Sequence, residues 1–241
     1  MAMEGVRQVA FCDSAHPIRG YRLRHVEITR ALTIPDTTEG VEVQLLLKPQ
    51  SPGSLSPKWR EFHISSATVN GDWVEHCHGL VGLDTEEPSD QGPRHRLSST
   101  ARINLGTKGG AYFRSIESAD MFQASRNMGI NHGPLFQKLT SIRAGSKKAM
   151  ASFLPVDSVA TQSPQSSYVV HPITVDSIFQ VAYAALSKDA QWETGAAIPK
   201  SIKEIYVSDL ISRETNHKFQ AFVNLEQWGA RGFDALHCTG R

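Results

Sequence analysis

The 241 residues carry 25 Lys and Arg against 24 Asp and Glu, a formal net charge of +1, which gives no electrostatic case for nucleic acid or an acidic membrane. Hydrophobic residues make up 40% and charged residues 20%, the composition of a soluble chain long enough for one large domain or two small ones sharing a core. No apolar run of about 18 residues predicts a membrane span, the N-terminus lacks the order of a signal peptide, and Cys12, Cys77 and Cys238 are too few and too far apart for a disulfide framework, so a reducing cytosol is expected.

The start, MAMEGVRQVAF, is rich in helix formers and predicts a helix already in progress. YRLRHVEI alternates and GVEVQLLLKP is a β run closed by Pro49; WREFHISSA and DWVEHCHGLV are two further strands. Residues 84 to 110 are polar and rich in Gly and Ser, and read as a linker. SIESADMFQASRNMG predicts a helix ending at Gly129. GPLFQKLTSIRAG and KKAMASFLP predict strands, and the polar loop DSVATQSPQSS precedes a helical stretch in YVVHPITVDSIFQVAYAAL. IKEIYVSDLI, KFQAFVNLEQW and FDALHC predict strands.

The two halves repeat this order, with Val26 falling on Ile205 and Leu45 near Val223. A helix wrapped by an antiparallel sheet, made twice, fits. The boundaries expected are 1–83 for the first half, 84–110 for the linker and 111–241 for the second. At that offset the first half begins inside its helix, and the last strand of the second would fall past Arg241, so the chain reads as cut at both ends.

The chemistry concentrates in HPITVDSIFQ, residues 171 to 180. Val175, Ile178, Phe179, Ala182, Ala185 and Leu186 form one apolar stripe, with Asp176 beside it near the helix start. The helix dipole there favours a carboxylate, while apolar surroundings favour the neutral acid. Gln180 stands one turn on, placed to orient the carboxyl group, and Tyr183 a further turn up. An Asp near a helix start is also a common cap, and spacing alone leaves both roles open.

HPITVDSIFQ resembles the HPxxxDxxxQ motif of the dehydratase domain of polyketide synthases, and NHGPLFQ, from Asn131, resembles the YGPxFQ segment of the same domain. GYRLRHVEITRALTIPDTTEGVEVQLLLKP, WVEHCHGL and IPKSIKEIYVSDLI look like the fungal, highly reducing type. The resemblance spans essentially the whole chain. It implies an α+β double hotdog, two helices each wrapped by a curved antiparallel sheet, the first incomplete at its N-terminus. It implies removal of water from a 3-hydroxyacyl chain on an acyl carrier protein, giving a trans-2-enoyl thioester. Asp176 would be the acid and Gln180 its orienting residue. His132, Gly133, Pro134, Phe136, His171, Pro172 and Tyr183 would line the substrate site. No cofactor beyond the carrier's phosphopantetheine arm and no metal are implied. The partners would be acyl carrier protein and other synthase domains; a homodimer is allowed.

The family's base is a histidine in an HxxxGxxxxP segment ahead of the first central helix, and no histidine of these residues stands in that pattern. His16, in HPIRG, follows the helix instead. The chain would thus hold half of an acid–base pair, and an inactive pseudo-dehydratase that binds carrier protein or pairs with another domain is the alternative. His132 stands where the family has Tyr, as a pocket group or a structural one. His76 and His78 would share a strand face, which two imidazoles of a metal site require, but no third ligand is apparent. Lys147-Lys148 reads as a solvated turn or a weak carrier-docking contact. His25, His63, His95, His217 and His237 read as strand or surface residues, and GTKGG at 106 to 110 lacks the context of a phosphate loop.

Overall fold

The computed structural model describes residues 1–13, 17–49, 59–85, 113–154, 168–188, 191–192, 198–209, 211, 218–229 and 232–240. The expected linker from residue 86 onward, the loop at 157–167, GTKGG, and His16, His95 and His217 lie outside them. The side chains of Cys12, His237 and Cys238 lie outside them too.

The chain divides into two compact units, Met1–Asp90 with Ile198–Ile211, and Gln91–Ala197 with Ser212–Arg241. In the first, helix α1 (Ala2–Asp13) is followed by β1 (Ile18–Ile28), β2 (Val43–Pro49), β3 (Trp59–Ala67) and β4 (Trp73–Thr85). The sheet is completed from far along the chain by β10 (Ser201–Ser208), in the antiparallel order β10-β1-β4-β3-β2. The repeat in the sequence assigns Ser201–Ser208 to the second half. The segment pairs instead with β1, Leu23 opposite Ile205 and Val26 opposite Ile202. Alternation marks a strand's faces but does not name its neighbour, so this pairing was not legible in the sequence. Ala2, Val6 and Ala10 of α1 and Tyr21, Val26, Phe62 and Val81 of the sheet are buried, the apolar face of one element closing on that of the other.

The second unit carries β5 (Arg114–Ile116), α2 (Ser118–Asn127), a 3₁₀ turn at Pro134–Phe136, β6 (Leu139–Gly145), β7 (Lys148–Phe153) and α3 (Pro172–Leu186). The short pair β8 (Ser187–Lys188) and β9 (Gln191–Trp192) follows α3, and β11 (Phe219–Gly229) and β12 (Gly232–Gly240) close the unit. Its main sheet runs β12-β11-β7-β6-β5, and α3 packs across β6, β7, β11 and β12. α2 ends where the sequence placed its stop: Gly129 takes φ +92° and donates its N–H to the Arg126 carbonyl. Lys147 sits with φ +57° in the two-residue turn between β6 and β7, and Lys148 opens β7 exposed. GPLF, expected to begin a strand, is the 3₁₀ turn, with Pro134 pre-setting its first residue.

One expectation about α3 is corrected. Its deepest face is Ile173, Thr174, Ser177, Gln180, Val181 and Ala184, while Val175, Ile178 and Phe179 are half-buried. Small residues let the helix lie close on the sheet, so the inward stripe is set by size as well as by hydrophobicity.

Candidate active site

The candidate site is built on the first turns of α3, all of it inside the second unit. His171 ends the extended approach to the helix, and its Nδ1 accepts the Ile173 N–H at 3.2 Å. Pro172 follows at the first helical position, where a missing N–H costs nothing. His171 therefore does the capping, its ring edge-on to Tyr168 with centroids 5.2 Å apart. Asp176 is relieved of that role: it lies in the second turn, half-buried, and the first turn holds no acid.

Gln180, 1% exposed, donates from Nε2 to two acceptors, Asp176 Oδ2 at 2.5 Å and the Phe136 carbonyl at 3.0 Å. A carbonyl can only accept, so the amide nitrogen must face Phe136, and this fixes which end of the amide meets Asp176. Gln180 Oε1 is buried with no partner among the described residues. The turn carrying Phe136 is tied in its own right, by Phe136 N–H to the Gly133 carbonyl at 2.9 Å and Gln137 Nε2 to the His132 carbonyl at 2.7 Å.

Burial pushes the Asp176 carboxyl above the usual carboxylate range, against the Gln180 hydrogen bond and the charge of His132, which pull it down. Burial and the neighbouring Asp176 push the Tyr183 phenol up to about 12, so it stays protonated. His132 is held below the ordinary histidine value by burial, partly offset by Asp176. Its ring stands edge-on to both Phe122 and Tyr183, centroids 5.8 and 6.1 Å away. The arrangement offers a carboxyl group whose proton affinity burial raises, held by one amide, beside an imidazole and a phenol.

Of the residues singled out by sequence, Asp176, Gln180, His132, Tyr183 and Phe136 gather here, Phe136 through its carbonyl. Gly133 and Pro134 are exposed in the adjoining loop, with nothing within 4 Å of where a Cβ on Gly133 would sit. His171 and Pro172 set the helix start. Phe122 of α2 was not singled out, because a ring contact between separate elements leaves no local signal.

His76 and His78 do not share a surface. The β3–β4 register shifts at His76, Ser65 facing Glu75 and Ile64 facing Cys77. His76 turns inward, its Nε2 2.7 Å from Ser66 Oγ, while His78 turns outward, its Nδ1 2.8 Å from Glu75 Oε1. His63 Nδ1 meets the other oxygen of Glu75 at 2.6 Å, and the two imidazoles hold that carboxyl below its usual range. No group able to hold a metal ion occurs among the described residues. Cys77 is a free, half-buried thiol whose acidity burial suppresses. No described helix is long and apolar enough to cross a membrane.

The fold is that of the double hotdog, shared with solved dehydratase domains of polyketide synthases. The dehydratase domain of RzxB from Pseudomonas fluorescens superposes with a TM-score of 0.69 at 13% identity, covering 98% of this chain and 76% of that one. The dehydratase domain from the CurK module of curacin polyketide synthase gives 0.64 at 21%, covering 92% and 69%. The family model described as polyketide synthase dehydratase N-terminal domain matches residues 109–235, and the chain belongs to that family. Among curated relatives, the highly reducing polyketide synthase sorA of Penicillium rubens is 36% identical over 93% of this chain and 8% of its own length. The highly reducing polyketide synthase azaB of Aspergillus niger is 34% identical over 97% and 9%. The chain thus spans about a tenth of these relatives.

Proposed function

We propose that this chain is the dehydratase part of a highly reducing polyketide synthase. It would remove water from a 3-hydroxyacyl chain presented on an acyl carrier protein and leave a trans-2-enoyl thioester. The observation that carries this reading is the Asp176–Gln180–Phe136 arrangement. A general acid must bind its proton more tightly than an ordinary carboxylate and be aimed; burial raises the proton affinity of the carboxyl, and an amide anchored on a backbone carbonyl aims it. In the reaction, a base removes the proton next to the thioester carbonyl, the C–O bond to the hydroxyl breaks, and Asp176 supplies the proton that makes the hydroxyl leave as water. Tyr183 stays a donor and orients the hydroxyl; His132, Gly133, Pro134 and Phe136 flank the acyl chain; His171 and Pro172 fix the helix start.

The family's base is not among these residues, so the reaction is proposed for the longer protein. There, Asp176→Asn should lower dehydration of a 3-hydroxyacyl pantetheine thioester by about 10²–10⁴-fold, the usual cost of losing a general acid. The 241 residues alone should fall short by a similar factor. Unchanged turnover in the Asn variant would sink the assignment of the acid. An unmutated long protein that binds the thioester but never dehydrates it would favour the pseudo-dehydratase reading.

A further inference from the structure

Only the nitrogen end of the Gln180 amide is accounted for. Nε2 donates to Asp176 Oδ2 and to the Phe136 carbonyl, while Oε1 is buried without a partner among the described residues. Three other buried side-chain atoms there share that condition, Ser177 Oγ, Ser125 Oγ and His132 Nδ1. All four belong to one junction. Ser177 and Gln180 lie on α3, Ser125 is one turn past Phe122 on α2, and the His132 ring packs against Phe122 of α2 and Tyr183 of α3. Buried polar atoms are almost always paired, with protein or with ordered water, so their gathering at one junction points to bound water.

The helix narrows the choice to two of these atoms. A long side chain on a helix leans back over the residues three and four before it. Gln180 does so, its nitrogen end resting on Asp176, four residues back. Ser177, three residues back, is the other residue beneath the same amide, its Cβ about 5–6 Å from that of Gln180. Ser177 is 0% exposed and Gln180 1%, so bulk water reaches neither. Their orphaned atoms do not bond each other. Oε1 can only accept, and a hydroxyl can donate, so one water can join them.

We propose that a water molecule is bound between Ser177 and Gln180, donating a hydrogen to Oε1 and accepting one from Oγ, and that Ser177 is thereby a positioning residue for the acid. These two contacts meet the minimum of two to four that hold a buried water. With Nε2 on Oδ2, the acid's proton is carried by Oδ1, the oxygen left to meet the departing hydroxyl. An amide turned over would present Oε1 to Asp176 and accept that proton itself. The Phe136 carbonyl opposes the turn from one end of the amide, and the water opposes it from the other. The positioning role rests on the dehydratase reading; the water does not.

The first test is a crystal structure of the 241-residue chain at a resolution that shows ordered water. It should hold a water within about 2.5–3.2 Å of both Gln180 Oε1 and Ser177 Oγ. Ser177 Oγ bonded to Oε1 directly or to the Ile173 carbonyl one turn back overturns the bridge, as does an Oε1 that meets no water. The second test is kinetic, in the longer protein. Ser177→Ala should lower kcat for a 3-hydroxyacyl pantetheine thioester by up to about 10²-fold, the scale of a misplacement of about 1 Å, and leave KM unchanged. Gln180→Met removes the amide, and adding Ser177→Ala to it should cost nothing further, because the serine acts only through that amide. An unchanged kcat in Ser177→Ala, or losses that multiply in the double variant, overturn the positioning role. Ser177→Cys, close in size and a weak donor, serves if the Ala variant does not fold, and the crystal structure needs no variant. Dehydration that survives Asp176→Asn overturns the dehydratase reading and leaves the water standing. A structure without the water, with dehydration still dependent on Asp176, does the reverse.

Discussion

Asp176 is the residue where function and stability pull apart. Burial raises its proton affinity in the folded chain above that of the unfolded chain. Between the unfolded value, about 3.9, and the raised folded value, the native state binds more protons than the unfolded one, so stability falls as pH rises through that window. Above it the full cost of a buried charge remains. Asp176→Asn removes that cost, and Asn can still accept the Gln180 N–H. The variant should melt higher than the parent chain at pH 7, and the gap should close as the pH falls toward 4. Differential scanning fluorimetry across that range checks it, and a variant less stable at pH 7 would contradict the raised proton affinity. An acid kept at a thermodynamic cost is what a functional role predicts, because a structural role would have been met by an amide. At this scale the sequence was informative through its motifs. HPxxxDxxxQ brought Asp176 and Gln180 forward, and the structure adds the Phe136 carbonyl that orients the amide. What the motif could not say is that His171 takes over the cap, since that depends on the rotation of one ring.

At the scale of elements, the first sheet is shaped by two irregularities, one between β1 and β4 and one between β3 and β4. β1 shifts register between Arg24 and Glu27, where His25 takes φ +49°, and β4 shifts at His76. Gly79 sits where these strands crowd. A Cβ there would meet Phe62 Cε1 and the Val26 Cα at 3.0 Å and the Arg24 carbonyl at 3.1 Å. Two of the three are backbone and cannot swing aside. Gly79→Ala should therefore cost about 1–3 kcal/mol, the range of an overpacked core, even though Ala usually favours a strand over Gly. Urea unfolding measures it; a stability equal to the parent's would mean that the β1 bulge yields freely. Most strands were legible, and WREFHISSA coincides with β3 residue for residue, because alternation and turn residues are local signals. The bulges were not, since an extra residue is visible only against its partner strand. GPLF was misread for a related reason: an apolar run bounded by Gly does not distinguish a strand from a turn held by its own carbonyls.

At the scale of the whole molecule, the chain leaves the first unit after β4, builds most of the second, returns to lay β10 beside β1, and leaves again. The repeat suggested two consecutive halves. The first sheet instead depends on a strand more than a hundred residues away, fixed by seven register pairs from Gly20–Ser208 to Glu27–Ser201. Arg24 reinforces that edge, reaching Glu204 Oε1 with Nη2 at 3.0 Å, and the Arg22 guanidinium lies over the Tyr206 ring at 5.0 Å. These pairs are partly exposed and contribute at most about 1 kcal/mol each, so the backbone ladder and the burial behind it hold β10 in place. Residues 1–90 expressed alone should therefore expose the full edge of β1, a row of N–H and C=O groups without partners, and should self-associate. A peptide of residues 198–211 added in excess should suppress that association and restore slow hydrogen exchange to the β1 amides that face β10. Analytical ultracentrifugation and exchange monitored by NMR give the two readouts. If residues 1–90 stay monomeric with β1 as protected as in the intact chain, β10 is dispensable to that sheet. If the peptide rescues them, the long return from the second unit is what closes the first sheet, and a boundary drawn at residue 83 cuts through a folding unit.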